Sequence, residues 1–374
     1  MSKIFQLISS VQLGGAEIVA FNLAEYGGYN LPDPTEIAVV ELYRTKNSYA
    51  DTKRRELENK NIRIITLHKG LKRSSLMLGP LRLIFLILKE KPRVIHSHTD
   101  LPDFVLSVAM RTFRFFHLPF PRVVRTIHNT QLWRTHHKLG RITESPYTNE
   151  PVIAVSSYAM NAYEQLRKKY GLPVSPDRQI IYNGCAVPQQ RQHPFKIDKE
   201  KINIAFCGRF EDYKGMETLI PVITEMGRLY PYLFLFHLIG DGTYKKQLLQ
   251  LSQQREDVFL YDPIPNVSSM FHAFDYLLMP SHFEGLGLIS VEASLAGVPV
   301  IASHAPGLDE TLPENWPLKF RLDKKEELYA IFENIKNRMY GRGELQKIAF
   351  DFVSTRFSRN KMIQSYNTLY NKMI

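Results

Sequence analysis

Two cysteines, Cys185 and Cys207, are all that the 374 residues contain. That count excludes a disulfide framework and a cysteine-rich metal site and suits a reducing compartment, so the cytoplasm is the expected location. Asp-x-Asp elements are absent, and no set of histidines and carboxylates has metal-ligand spacing, so neither a metal nor a cofactor is expected. Long apolar runs are missing as well. The most apolar window, residues 76–88, is interrupted by Pro80 and Arg82 and is too short to cross a bilayer. Residues 1–9 read as a buried strand leading into a glycine turn, without the apolar stretch and small-residue cleavage site of a signal peptide. Internal repeats and low-complexity tracts are lacking too.

What is present is an ordinary globular composition, 44% hydrophobic and 23% charged, over a length that suits two cores better than one. The charge is lopsided. Residues 1–185 hold 26 Lys and Arg against 15 Asp and Glu, and the remainder 22 against 22, so the formal +11 sits in the first half. That half is expected to face something acidic, by long-range attraction. No nucleic-acid module is present and the aromatics form no stacking platform, so nucleic acid is not an expected partner.

Short apolar β-rich runs at residues 4–8, 37–42, 62–67, 94–96, 123–127 and 152–155 alternate with segments of 3.6-residue periodicity such as 16–26. Runs that are apolar without alternation suit parallel strands covered by helices on both faces. The pattern breaks after Ile181 into a polar stretch, then restarts at 202–207, 233–239, 258–261, 276–279 and 298–302, with helical segments over the last fifty residues. The expected organisation is a doubly wound α/β domain over 1–185, a linker over 186–200, a second such domain over 201–355 and a final helix over 356–374.

Ligands of open α/β sheets bind beyond the carboxyl ends of the strands, where helix N-termini offer unpaired N–H groups. Three loops stand out there. After the first strand come Gly14, Gly15, Ala16 and Glu17, where glycine lets a backbone approach a phosphate, although a tight turn without ligand fits equally well. Residues 208–215 (GRFEDYKG) bracket a strand-to-helix loop with Arg209 and Lys214, which suit a diphosphate or are two solvated surface cations. Residues 280–292 (PSHFEGLGLISVE) place Glu284 before a helix and Glu292 about one turn inside it, with Gly285 and Gly287 keeping the intervening N–H groups accessible. Carboxylates so placed can hold vicinal hydroxyls, or are ordinary acidic residues favoured by the helix dipole.

The run from Glu284 to Glu292 resembles the Glu-x7-Glu motif of glycosyltransferase family 4, in the GT-B superfamily of group 1 glycosyltransferases, and the following ASLAGVPVIA is similar to that family's sequence there. The Gly14 to Glu17 turn, His128 in VRTIHNT, the Arg209/Lys214 pair and Gly240 to Gly242 in LIGDG agree in order. The resemblance implies a GT-B fold: two Rossmann-like doubly wound domains facing a central cleft, with the C-terminal helix packing back toward the N-terminal domain. It implies a retaining, metal-independent transfer of a hexose or N-acetylhexosamine from a nucleotide diphosphate sugar, uridine being the expected base, to a glycan or lipid-linked acceptor in polysaccharide synthesis. Carried over residue by residue, Arg209 and Lys214 bind the pyrophosphate, Glu284 holds sugar hydroxyls and Glu292 the ribose. Backbone groups at Gly208, Gly240, Gly285, Leu286, Gly287 and Leu288 line the donor, Gly15 approaches its phosphate, and His128 hydrogen-bonds the sugar. Leu286 departs from the Phe more common in the family. His96 and His98 resemble an acceptor-side element, or are hydrogen-bonded structural histidines.

No carboxylate pair is placed as nucleophile and acid in the glycosidase manner, so front-face displacement is expected, the departing phosphate helping to deprotonate the acceptor. Two rivals are a nucleotide-sugar 2-epimerase or hydrolase on the same fold and a non-catalytic nucleotide-sugar-binding subunit. In the basic half, Leu71, Lys72, Arg73, the 76–88 segment and residues 111–117 interleave cations with large apolar groups. That pattern suits peripheral association with an anionic membrane surface, or a buried helix with solvated charges.

Overall fold

The computed structural model describes residues 2–28, 31, 34–70, 72–134 and 136–374. Met1, in the expected first strand, and Leu71, in the cationic segment, lie outside the described residues. The chain divides into two compact units, Met1–Gly184 with Arg359–Ile374, and Cys185–Ser358.

Strand and helix alternate through the first unit: β1 (Ser2–Ile8), α1 (Gly15–Tyr26), β2 (Thr35–Tyr43), α2 (Ser48–Asn59), β3 (Ile64–His68), α3 (Lys72–Glu90), β4 (Val94–Ser97), α4 (Asp100–Phe115), β5 (Arg122–Ile127), α5 (His137–Glu144), β6 (Val152–Ala154), α6 (Ser157–Lys169) and β7 (Arg178–Ile180). All seven strands are parallel, in the order β3-β2-β1-β4-β5-β6-β7. The order reverses between β1 and β4, so a crevice opens beyond their carboxyl ends. The continuous apolar runs exist because helices cover both faces: Phe5, Leu7, Ile95 and Val123 pack with α3 and α4 on one side. On the other, Ile4, Val94, Val124 and Ile153 pack with Met362, Ile363, Tyr366, Leu369 and Tyr370 of the C-terminal helix. That helix is therefore a layer of the first unit.

The second unit repeats the plan with β8 (Ile202–Arg209), α7 (Met216–Leu229), β9 (Phe234–Asp241), α8 (Lys245–Gln254), β10 (Val258–Tyr261), β11 (Tyr276–Met279), α9 (Leu288–Leu295), β12 (Val300–Ser303), β13 (Lys319–Phe320), α10 (Lys325–Lys336) and α11 (Arg342–Arg356). The C-terminal helix of the first unit is then α12 (Arg359–Asn371). Six parallel strands run in the order β10-β9-β8-β11-β12-β13, and the reversal falls between β8 and β11. Two Rossmann-like parallel sheets, one per unit, make the α/β class expected from the strand pattern.

The stretch expected to be a linker is instead part of the second unit. Phe195 is buried in its core with ring centroids 4.6 Å from Phe274 and 5.1 Å from Tyr261. The Arg191 N–H donates to the Ser269 carbonyl at 3.0 Å and the Lys196 N–H to the Tyr261 hydroxyl at 3.0 Å. One aromatic anchor is enough to dock a polar segment, because burying a Phe side chain contributes roughly 2–3 kcal/mol. Among the described residues no helix is long and apolar enough to cross a membrane.

Candidate active site

At the second unit's reversal point, the loops after β8 and β11 meet. The first contains a short 3-10 turn, Asp212–Lys214, closed by Gly215 with φ +76°. A Cβ on Gly215 would lie 1.8 Å from the Pro280 carbonyl oxygen, so only glycine lets the two loops touch. The His282 N–H also donates to the Tyr213 carbonyl at 2.9 Å, and the Tyr213 and Phe283 rings stack with centroids 5.2 Å apart.

This contact brings the two predicted charges together. Lys214 Nζ donates to Glu284 Oε1 at 2.6 Å, and the Ser281 hydroxyl donates to the same oxygen at 2.8 Å. The two charged side chains are only 14% and 11% exposed, so the pair sits in a partly desolvated recess where its field is poorly screened. Arg209, the last residue of β8, is exposed and makes no ion pair among the described residues. Two cations thus flank the loop, one pre-paired and one open.

The third component is the mouth of α9. Gly287 sits at the N-cap with φ +77° and, having no side chain, makes no cap hydrogen bond to the first turn. Leu286 is buried, which leaves its backbone rather than its side chain for a ligand, while Gly285 and Gly287 flank it and Leu288 opens α9. Glu292, one turn further, is pushed up to about 7 by burial. The Cys207 thiol at the end of β8 is pushed up to about 12, first by burial and then by the Glu292 carboxylate, while Lys214 pulls it down. Glu292 and Lys214 therefore act on the same strand end. Gly208 and Gly240 are register partners on β8 and β9, and a Cβ on Gly240 would meet the Gly208 carbonyl at 1.9 Å, so packing alone requires a glycine there.

One contributor has no counterpart among the residues picked from the sequence. Gly307, with φ +80°, packs the loop after β12 onto the acidic loop, where its Cβ would lie 2.3 Å from the Glu284 carbonyl oxygen. The Glu284 N–H donates to the adjacent Pro306 carbonyl at 2.8 Å. The Pro-Gly pair after an apolar run was the available signal.

The remaining candidate residues belong to the first unit. Gly15 opens α1, and the Glu17 carboxylate, held by Gln12 Nε2 at 3.0 Å, folds over the same turn, 2.3 Å from where a Gly14 Cβ would be. Nearby, Glu41 accepts from Arg54 at 2.8 Å, from Thr66 at 2.6 Å and from the Val11 N–H at 2.9 Å, which ties the loop after β1 to β2 and β3.

His96 and His98, at the end of β4, and His128, after β5, form one cluster. His98 Nδ1 lies 3.1 Å from His128 Nε2, and His98 Nε2 is 2.7 Å from Gln6 Oε1. His96 contacts the Tyr370 hydroxyl and Thr126 Oγ1, each at 2.6 Å. Burial pushes His96 and His98 well below the usual imidazole range and His128 down to about 3, so all three are neutral at pH 7. Beneath them Arg125 binds Asp103 at 2.7 Å and Glu144 at 2.6 Å, with Arg167 3.3 Å from Glu144, all fully buried. This cluster fastens β5 to α4, α5 and α6.

Against known proteins, residues 189–316 match the family of glycosyl transferases group 1. The matched stretch holds Arg209, Lys214, Glu284 and Glu292, the four charged candidates of the second unit. Over 300 residues, 75% of the chain and 79% of the relative, the chain is 26% identical to the O-antigen biosynthesis glycosyltransferase WclY of Escherichia coli. An uncharacterized 41.2 kDa protein in the cps region of Klebsiella pneumoniae is 27% identical over 296 residues, 74% of the chain and 78% of that protein. Among solved structures, Anabaena Alr3699/HepE in complex with UDP-glucose aligns over 100% of both chains with a TM-score of 0.78 at 19% identity. WaaG, a glycosyltransferase involved in lipopolysaccharide biosynthesis, aligns over 98% of the chain and 99% of its own with a TM-score of 0.71 at 12% identity. The fold is that of the GT-B glycosyltransferases.

Proposed function

We propose that the protein is a retaining, metal-independent glycosyltransferase that moves a hexose or N-acetylhexosamine from a UDP-sugar to a glycan or lipid-linked acceptor in cell-surface polysaccharide synthesis. The observation that carries this is the Lys214–Glu284 pair at the reversal point of the stretch that matches the group 1 glycosyl transferases, beside the uncapped mouth of α9. The UDP-glucose complex of the structural neighbour and the O-antigen role of the relative favour the donor class and the pathway class.

Breaking the bond to a nucleotide diphosphate develops negative charge on the leaving phosphate and positive charge at the anomeric carbon. Lys214, Arg209 and the N–H groups opening α9 are fixed donors that stabilise the first, where preorganised electrostatics contributes most. Glu284 would accept from hydroxyls of the transferred sugar, Glu292 from the ribose, and His128 would hydrogen-bond the sugar. The departing phosphate oxygen takes the acceptor proton as the new bond forms on the same face, so configuration is retained. A panel of UDP-sugars assayed by UDP release, with the product anomer read by NMR, tests this. Inverted product, a sugar trapped covalently on a side chain, or epimer formation from donor alone would each overturn it.

The first unit supports the membrane half of the same reading. Met77, Leu81, Phe85 and Leu88 form one stripe on α3, from 50% to 79% exposed, flanked by Lys72, Arg73 and Lys89. Phe115 and Phe116 at the end of α4 are exposed as well. With 29 Lys and Arg against 15 Asp and Glu in this unit, an anionic bilayer is the matching surface. Sedimentation with anionic vesicles, lost in Phe85→Asp and absent with neutral vesicles, is the expected result, and equal binding to both vesicle types would overturn it.

A further inference from the structure

The histidine cluster of the first unit is a directed chain of hydrogen bonds. Each neutral imidazole has one N–H and one lone pair, so a donor assigned at one nitrogen makes the other an acceptor. The Gln6 amide sets the direction: Nε2 donates to the Tyr370 hydroxyl at 2.9 Å, leaving Oε1 to accept from His98 Nε2 at 2.7 Å. His98 Nδ1 must then be bare, and it accepts from His128 Nε2 at 3.1 Å. On the other side Tyr370 donates to His96 Nδ1 and His96 Nε2 to Thr126 Oγ1, each at 2.6 Å.

The chain leaves one end open. His128 Nδ1 is buried and has no partner among the described residues. With Gln6 flipped, every bond would reverse and that atom would be an orphaned N–H donor. An unsatisfied buried N–H is rarer and costlier than an unfilled acceptor, which favours the direction given.

We propose that Gln6 is a positioning residue that, through His98, holds His128 as its Nε2–H tautomer, so that the Nδ1 lone pair accepts a hydrogen bond from a hydroxyl of the sugar substrate. The ligand half rests on the sugar-transfer function proposed above, and the tautomer half does not. Tyr370 on α12 supports the lock from behind, which gives the C-terminal helix a part in a site 242 residues away in sequence.

The test uses the full chain with ¹⁵N-labelled histidine and long-range ¹H–¹⁵N correlation spectra. Both His98 and His128 are expected to carry their proton at Nε2, unchanged between pH 5 and 8. Gln6→Leu removes the acceptor facing His98 and is expected to mix the His128 tautomers, whereas Gln6→Glu keeps an oxygen there and restores one. In transfer assays with monodeoxy UDP-sugar analogues, discrimination against the analogue lacking the partnered hydroxyl should fall about 10-fold in Gln6→Leu and return in Gln6→Glu. A wild-type His128 protonated at Nδ1, or tautomers and discrimination unmoved in Gln6→Leu, would overturn the proposal. If the wild-type chain transfers no sugar from any donor, the sugar-transfer function and the ligand half fall together, while the nitrogen spectra still decide the lock.

Discussion

Lys214→Ala separates what the ammonium does for the fold from what it does for the reaction. In the free protein its partner is Glu284, at 2.6 Å in a recess that leaves both side chains mostly buried. Removing the lysine leaves that carboxylate with the Ser281 hydroxyl at 2.8 Å, a neutral donor in place of a cation. Breaking a partly buried pair should therefore cost about 1–3 kcal/mol, less than for a fully buried one. In a unit of this size that lowers Tm by roughly 3–10 °C. The reaction should lose more, because in the proposed mechanism the ammonium meets the charge that develops on the leaving phosphate. Removing one such preorganised donor typically costs about 10²- to 10³-fold in rate, or about 3–4 kcal/mol. Steady-state UDP release, measured well below the lowered Tm, should thus fall by that factor, with kcat affected as well as KM. In the stability cycle with Glu284→Gln, the double variant should lose less than the two single variants together, since the second change removes the carboxylate that the first left without its cation. Transfer within five-fold of wild type in a folded Lys214→Ala protein would refute the assignment of the leaving-group contact.

Three further residues carry expected outcomes of their own. Glu292 is pushed up to about 7 by burial, and in its proposed ribose contact the ionised form is the stronger acceptor, so UDP affinity should rise with pH through about 7 with proton release below it, and calorimetry in two buffers should show both vanish in Glu292→Gln. Its folded pKa lies above the ordinary carboxylate value, so its contribution to stability is full below about 4.5 and is lost as pH rises toward 7, a slope that urea titrations of the same variant should lack. Glu144→Ala takes from Arg167 its carboxylate and leaves Arg125 with Asp103 alone, and should cost about 3–5 kcal/mol by denaturant titration. Gly215→Ala must move Pro280 or abandon φ +76°, and should depress transfer more than 10-fold even though it touches no ligand, a 1 Å misplacement near the chemistry being enough.

The strand pattern was legible because parallel strands buried on both faces write themselves as unbroken apolar runs, and eleven such segments need no tertiary knowledge. The two-residue β13 has too little pattern to be seen, and Lys319 in it offers no apolar signal. The supposed linker failed for a different reason: composition averages a segment, while docking depends on its single best anchor, here Phe195. The candidate cations and carboxylates of the second unit could be picked out because each lies in or beside a glycine-bearing loop that follows a strand. What composition and spacing could not supply is which of them pair. Lys214 finds Glu284 across 70 residues because two glycines, at 215 and 307, permit backbone contacts that any side chain would block. The histidines of the first unit are harder still. Gln6 and Tyr370, 364 residues apart, decide through one hydrogen bond which imidazole nitrogen carries a proton. Nothing in the neighbourhood of either residue in sequence announces this, since a glutamine in an apolar strand and a tyrosine on a terminal helix each read as ordinary packing. A burial pattern therefore locates a site of this kind, and only the fold assigns its donors and acceptors.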